Sequence, residues 1–206
     1  MSTAGTEAAE TDVTGTEAAE TESEQTEATG ARRDIGRLSW GRLAVALLVA
    51  EALTGLILMF HYRPTVDSAH LDLVDLREVS RFGFVRSLHR WGAHAAVILV
   101  WLHLFRVALR GAYAVPRRRD WAVGVVLMVL TLLLAATGYL LPWDQDAFWS
   151  LAVLSPAAAN AAAGDSVLLR IYVSHCVALP LLVAGLTAYH LRCARRDPEP
   201  GPGSFV

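Results

Sequence analysis

Lysine is missing from the chain: all 18 basic residues are arginine. Together with heavy alanine, valine and leucine usage this reads as compositional bias, not as a basic binding patch, and no nucleic-acid partner is expected. Cysteine is scarce too. Cys176 and Cys193 stand 17 residues apart in one apolar run, about 25 Å along a helix, too far for a disulfide. Residues 1–31 hold no aromatic and no large aliphatic side chain other than Val13. They repeat the unit Gly5 to Thr11 at Gly15 to Thr21 and carry eight acidic residues before the first base, Arg32. Such a segment buries too little to offset the entropy of ordering it, so a disordered acidic tail is expected over 1–31. The opening also lacks a basic region leading into an apolar stretch, so no secretory signal is recognisable and insertion is expected to use the first apolar run.

What remains is unusually apolar. A mean hydropathy of +0.38 with 54% hydrophobic residues over 206 positions exceeds that of an ordinary soluble domain. Four runs, near 40–62, 88–109, 121–143 and 168–192, are each long enough to cross about 30 Å of hydrocarbon as a helix. The third, Trp121 to Trp143, contains no charge. Polar or Pro-containing stretches such as Arg63-Pro64-Thr65, Val115-Pro116-Arg117 and Ser155-Pro156 separate the runs. The expectation is an all-α integral membrane protein, a four-helix bundle over 32–196 with a short tail at 197–206. Counting arginine on the two sides gives twelve for 31–42, 106–119 and 192–206 against six for 61–90 and 144–170. Both termini should therefore be cytoplasmic, and the second and fourth helices each run from outside to inside.

Four of the seven histidines form two long-spaced pairs within these runs, His89 with His103 and His175 with His190. Spacings of 14 and 15 residues leave angular offsets of about −40° and +60° on an ideal helix and rises of about 21 to 23 Å. Each helix thus presents two imidazoles on roughly one face. Because the helices run the same way, His89 meets His175 near the outer surface and His103 meets His190 near the inner one. An imidazole in hydrocarbon needs a partner, and two facing imidazoles are satisfied together by a six-coordinate haem iron between them. Hydrogen-bonded core histidines are the plainer reading for a lone residue and a poorer one for four at matching depths. Gly41 and Gly55 on the first run and Gly124 and Gly138 on the third repeat the 14-residue interval, where a flat macrocycle could approach the backbone; small-residue helix packing is the alternative. Arg86 and Arg90 beside the outer ligand, and Arg106 and Arg192 beyond the inner ones, are candidate donors to anionic propionates. Arg117, Arg118 and Arg119 read as surface charge.

The strings Arg86-Ser87-Leu88-His89-Arg90-Trp91, Leu102-His103-Leu104-Phe105-Arg106 and Thr137-Gly138-Tyr139-Leu140-Leu141-Pro142-Trp143-Asp144-Gln145 resemble the N-terminal half of cytochrome b, especially the cytochrome b6 type. The interval His175 to His190 with Pro180 inside it resembles that type as well, and the likeness covers roughly 38–195. It implies two b haems, quinol or quinone as substrate, and transmembrane electron transfer in a quinol-oxidising bc-like complex. One electron would go to an iron–sulfur protein and the other through the haems to an inner quinone. Three departures stand out. Ser39 occupies the position of the b6-type cysteine, so no covalent c-type haem is expected. The family's Pro-Glu-Trp-Tyr motif is absent, so a partner subunit carrying the C-terminal half would supply it. The 146–174 segment is short and alanine-rich, where the family has a longer stretch with surface helices roofing the outer quinol site. A homodimer within the complex is possible, and the rival function is a di-haem membrane anchor serving another dehydrogenase or reductase.

Some residues make weaker claims. Glu51 sits in mid-span, where an unpaired carboxylate is costly; it reads as a paired structural acid or as a proton or quinone group. His94 lies about 140° around the helix from His89 and reads as structural, His61 and His70 as interfacial. Asp144 and Gln145 could contact quinol or cap a helix end.

Overall fold

The computed structural model describes residues 40–78, 82–111, 113, 117–154 and 164–196. The two tails, Ser39 and residues 155–163 lie outside them. Seven helical elements occur among the described residues: α1 (Trp40–Met59), α2 (Val66–Glu78), α3 (Gly83–Leu109), α4 (Arg118–Leu140), α5 (Gln145–Leu154), α6 (Gly164–Val173) and α7 (Leu179–Arg196). A π-helical turn, Ser174–Ala178, joins α6 to α7, so that Gly164–Arg195 forms one long span.

Four elements are long and apolar enough to cross a membrane: α1, α3, α4 and the α6–α7 span. Only 6 to 17% of each apolar window is buried inside the protein. Leu53, Phe60, Trp91, Phe105 and Leu181 point outward, an arrangement that water would penalise and lipid accepts. The chain is a multi-pass membrane protein. Helix α1 packs on α3, α3 on α4, and α4 on α7. Two small clusters fill the middle of the bundle. Ala44, Leu99, Val100 and Met128 form one, and Leu127, Leu130 and Val183 the other.

The spans match the four expected runs, with ends shifted by a few residues. Helix α1 stops at Met59, the chain turns at Phe60 and His61, and Pro64 keeps Arg63 from resuming the helix. Helix α4 starts at Arg118 instead of Trp121, carrying Asp120 in its first turn where the dipole favours an acid. Two short helices were not expected. Helix α2 is amphipathic and strongly acidic, which conceals it from a search for apolar runs. The Asp165 carboxylate accepts from its first N–H, that of Val66, at 2.7 Å. Asp72, buried on its inner face, accepts from Arg63 Nη2 at 2.6 Å and from the Arg63 backbone N–H at 2.8 Å. The guanidinium holds the Asp72 carboxyl below the usual carboxylate range. Helix α5 is capped by Asp144, whose Oδ1 accepts from Ala147 N–H at 2.9 Å. Asp144 is thus a cap, for the helix that follows it.

Candidate cofactor site

The bundle brings together the histidines that the spacing paired. His89 and His175 have ring centres 6.3 Å apart, and His103 and His190 have theirs 6.4 Å apart. In both pairs the ring planes are close to perpendicular, at 88° and 83°. These distances leave room for an ion between the rings. A metal–imidazole bond is about 2.0 Å and a ring nitrogen lies about 1.2 Å from the ring centre, so two rings ligating one ion from opposite sides stand about 6.4 Å apart. Edge-to-face contact between two rings spans the same range. Among the described residues, no group of three or more His, Cys, Asp or Glu is placed to hold a metal ion. An ion between either pair would need its other ligands from a non-protein group, and a planar tetrapyrrole supplies four.

For His175, His89 and His190 the nearest polar protein groups lie at Nδ1. His175 Nδ1 lies 3.0 Å from the Leu134 carbonyl and 3.1 Å from Thr137 Oγ1. His89 Nδ1 lies 3.0 Å from Thr54 Oγ1 and 3.1 Å from Glu51 Oε2. His190 Nδ1 lies 2.7 Å from Asp120 Oδ1, without the alignment of a hydrogen bond. Partners of this kind set the tautomer of ligating histidines. Thr54, Thr137 and Asp120 were not read as site residues. A signal for two of them was present, since each threonine directly precedes one of the regularly spaced glycines.

The four glycines face the four histidines one to one. A Cβ added at Gly138 would sit 2.8 Å from His175 Cε1, at Gly41 3.0 Å from His103 Cε1, at Gly55 3.1 Å from His89 Cε1, and at Gly124 3.6 Å from His190 Cε1. At Gly138 something would have to shift, and at Gly41 and Gly55 the imidazole would have to give by a few tenths of an ångström. The 14-residue glycine repeat thus matches the histidine repeat in space as well as in sequence.

Counting alone leaves one mismatch: 14 residues separate the histidines on α3 and 15 those on the last span. The π turn removes it. Leu179 N–H donates to the Ser174 carbonyl, an i to i+5 bond that loops out one extra residue. The cause is Pro180, which has no N–H to give to Cys176 and whose ring crowds that carbonyl. Past this wide turn, 15 residues advance the helix about as far as 14 do on α3.

At the other end of α4, buried polar atoms gather around His190. Arg117 Nε, Trp121 Nε1, Thr187 Oγ1, Asp120 Oδ1 and His190 Nδ1 are buried without a hydrogen-bond partner. Arg117, Asp120, Trp121 and Gly124 share one face of α4 by their i, i+3 and i+4 spacing, and Thr187 lies one turn before His190. Buried donors without a protein partner are the kind of group that a bound anion would satisfy. Arg117 is therefore not simply a surface charge: its side chain is 14% exposed and its Nη2 lies 3.3 Å from Asp120 Oδ2. Of the four arginines expected to serve propionates, Arg86 is half-buried, and Arg90, Arg106 and Arg192 are exposed. His94 faces away from His89; its Nδ1 is 2.6 Å from the Arg90 carbonyl and its Nε2 meets the Tyr139 hydroxyl. His61 and His70 lie outside the spans and are exposed. Gln145 opens α5, also exposed.

Residues 36–197 match the family described as Cytochrome b/b6/petB, and the chain belongs to that family, whose members bind b-type haem. Among solved structures it is similar to a chain of one described as "Hyperthermophilic respiratory Complex III". That chain is 27% identical, with a TM-score of 0.72, and the likeness covers 81% of this chain and 49% of that one. This chain thus spans about half the length of its structural relative.

Proposed function

We propose that this chain is a di-haem cytochrome b subunit of a quinol-oxidising bc-type complex in a cell membrane. The observation that carries the reading is the pair of bis-histidine gaps, each as wide as one ligated ion requires, with a glycine against every imidazole. His89 and His175 hold the outer group, and His103 and His190 the inner one. Gly55 and Gly138, and Gly41 and Gly124, let the rings and macrocycle lie close to the helix backbones. Arg86 and Arg90 serve anionic groups near the outer surface; Arg106, Arg192 and Arg117 do so near the inner one. The haems, when bound, carry single electrons between an outer quinol and an inner quinone. Arginine asymmetry supports cytoplasmic termini. The likeness to a Complex III chain supports an iron–sulfur protein as a partner in the complex. With Ser39 in place of a cysteine, thioether attachment of a further haem has no thiol to use.

The test is a redox-titrated optical spectrum of the purified membrane protein with haem quantified per chain. Two low-spin b haems per chain are expected, and a lower stoichiometry sinks the reading. A second variant probes register: with Val177 deleted and Pro180 changed to alanine, the last span becomes a plain α-helix with its histidines 14 apart. Haem content is expected to stay at the wild-type level. Loss of either haem would mean that the π turn does more than absorb a residue.

A further inference from the structure

Helices α1 and α4 carry the same local frame around the outer histidines. On α4, Thr137 Oγ1 donates back to Leu134 O at 3.1 Å and to Leu133 O at 2.7 Å, beside His175 Nδ1. On α1, Thr54 Oγ1 donates back to Glu51 O at 3.1 Å and to Ala50 O at 2.9 Å, beside His89 Nδ1. Glu51 and Leu134 hold equivalent positions, three residues before the threonine. The frames differ in one respect. Leu134 has no polar side chain, whereas the Glu51 side chain, 13% exposed, turns to place Oε2 3.1 Å from His89 Nδ1. Room for it comes from Gly92 on α3, where any Cβ would collide with the carboxylate. Threonine and backbone suffice to orient the matching ring on the other helix, so the carboxylate is an addition whose effect on His89 is electronic.

Resting on the haem reading above, we infer that Glu51 is a positioning residue that sets the potential of the outer haem through His89. A carboxylate accepting from Nδ1–H makes the imidazole a stronger donor, and a stronger axial donor favours ferric over ferrous iron. No atom transfer is involved: in a dithionite titration each ferric iron takes up one electron. The inner haem, whose ligands are far from Glu51, is the internal control.

The experiment is spectroelectrochemical titration of the haem-loaded protein and of Glu51→Gln, which keeps the shape and removes the carboxylate. The two waves are assigned by which one survives in His190→Ala. In Glu51→Gln the ferrous-to-ferric ratio of the outer haem at fixed potential is expected to rise about tenfold, which is about 59 mV for one electron, with the inner wave unmoved. Gly92→Ala, which drives the carboxylate off Nδ1 from the opposite helix, is expected to shift the same wave in the same direction. It provides a second reading should Glu51→Gln hold haem poorly. Two haems with outer waves unmoved in both variants, or equal shifts of both waves, overturn the role of Glu51 alone. A wild-type protein that binds no haem overturns the reading on which it rests.

Discussion

His190→Ala is expected to lower haem content from two per chain to one and to leave the outer wave of a redox titration in place. The reasons are local. The 6.4 Å gap to His103 loses one of its two ring nitrogens, and Asp120, 2.7 Å from His190 Nδ1 and almost fully buried, loses its closest partner. Leaving a buried charge uncompensated costs about 3–5 kcal/mol, although Arg117 at 3.3 Å relieves part of this. The outer pair lies beyond the Ala44, Leu99, Val100 and Met128 cluster and shares no ligand with it. Pigment extraction against protein concentration measures the stoichiometry. A variant that keeps two haems would show that the paired rings are core histidines.

Gly138→Ala is expected to weaken binding of the outer haem by roughly tenfold or more, while Gly124→Ala is expected to be close to neutral. The contrast comes from the distances alone. The new methyl at 138 would stand 2.8 Å from His175 Cε1, and the ring cannot retreat without leaving the Leu134 carbonyl and Thr137. At 124 the same methyl makes an ordinary contact of 3.6 Å with His190. Overpacking of this kind costs about 1–3 kcal/mol. Titrating haem into detergent-solubilised apoprotein, with optical readout, gives both affinities. Equal effects at the two sites would refer the glycines to general helix packing.

The spans were legible in the sequence because a membrane helix must be apolar over a set length, and nothing else in the chain competes with that pattern. The histidine pairing was legible because a 14-residue interval returns to nearly the same helix face. Helix α2 was hidden by its own acidity, and α5 by the Pro142–Trp143 turn before it, where Trp143 takes a positive φ of 48°. The partners of the imidazoles were harder to read. Leu134 contributes through its backbone, which any residue has, and Asp120 reads in sequence as an ordinary first-turn acid. Arg117 was misjudged for a similar reason: an arginine triplet looks solvated, and burial of one member depends on where α4 begins.

The proline-linked wide turn also bears on how such chains are compared. A residue inserted next to Pro180 is absorbed within one turn, so the helix beyond it keeps its orientation and both rings keep their partners. Loss of the extra residue together with the proline is then close to neutral for ligand geometry. Histidine intervals that differ by one between homologous chains need not mark different sites, and an alignment gap placed in Ser174–Ala178 describes the divergence better than a shifted ligand would.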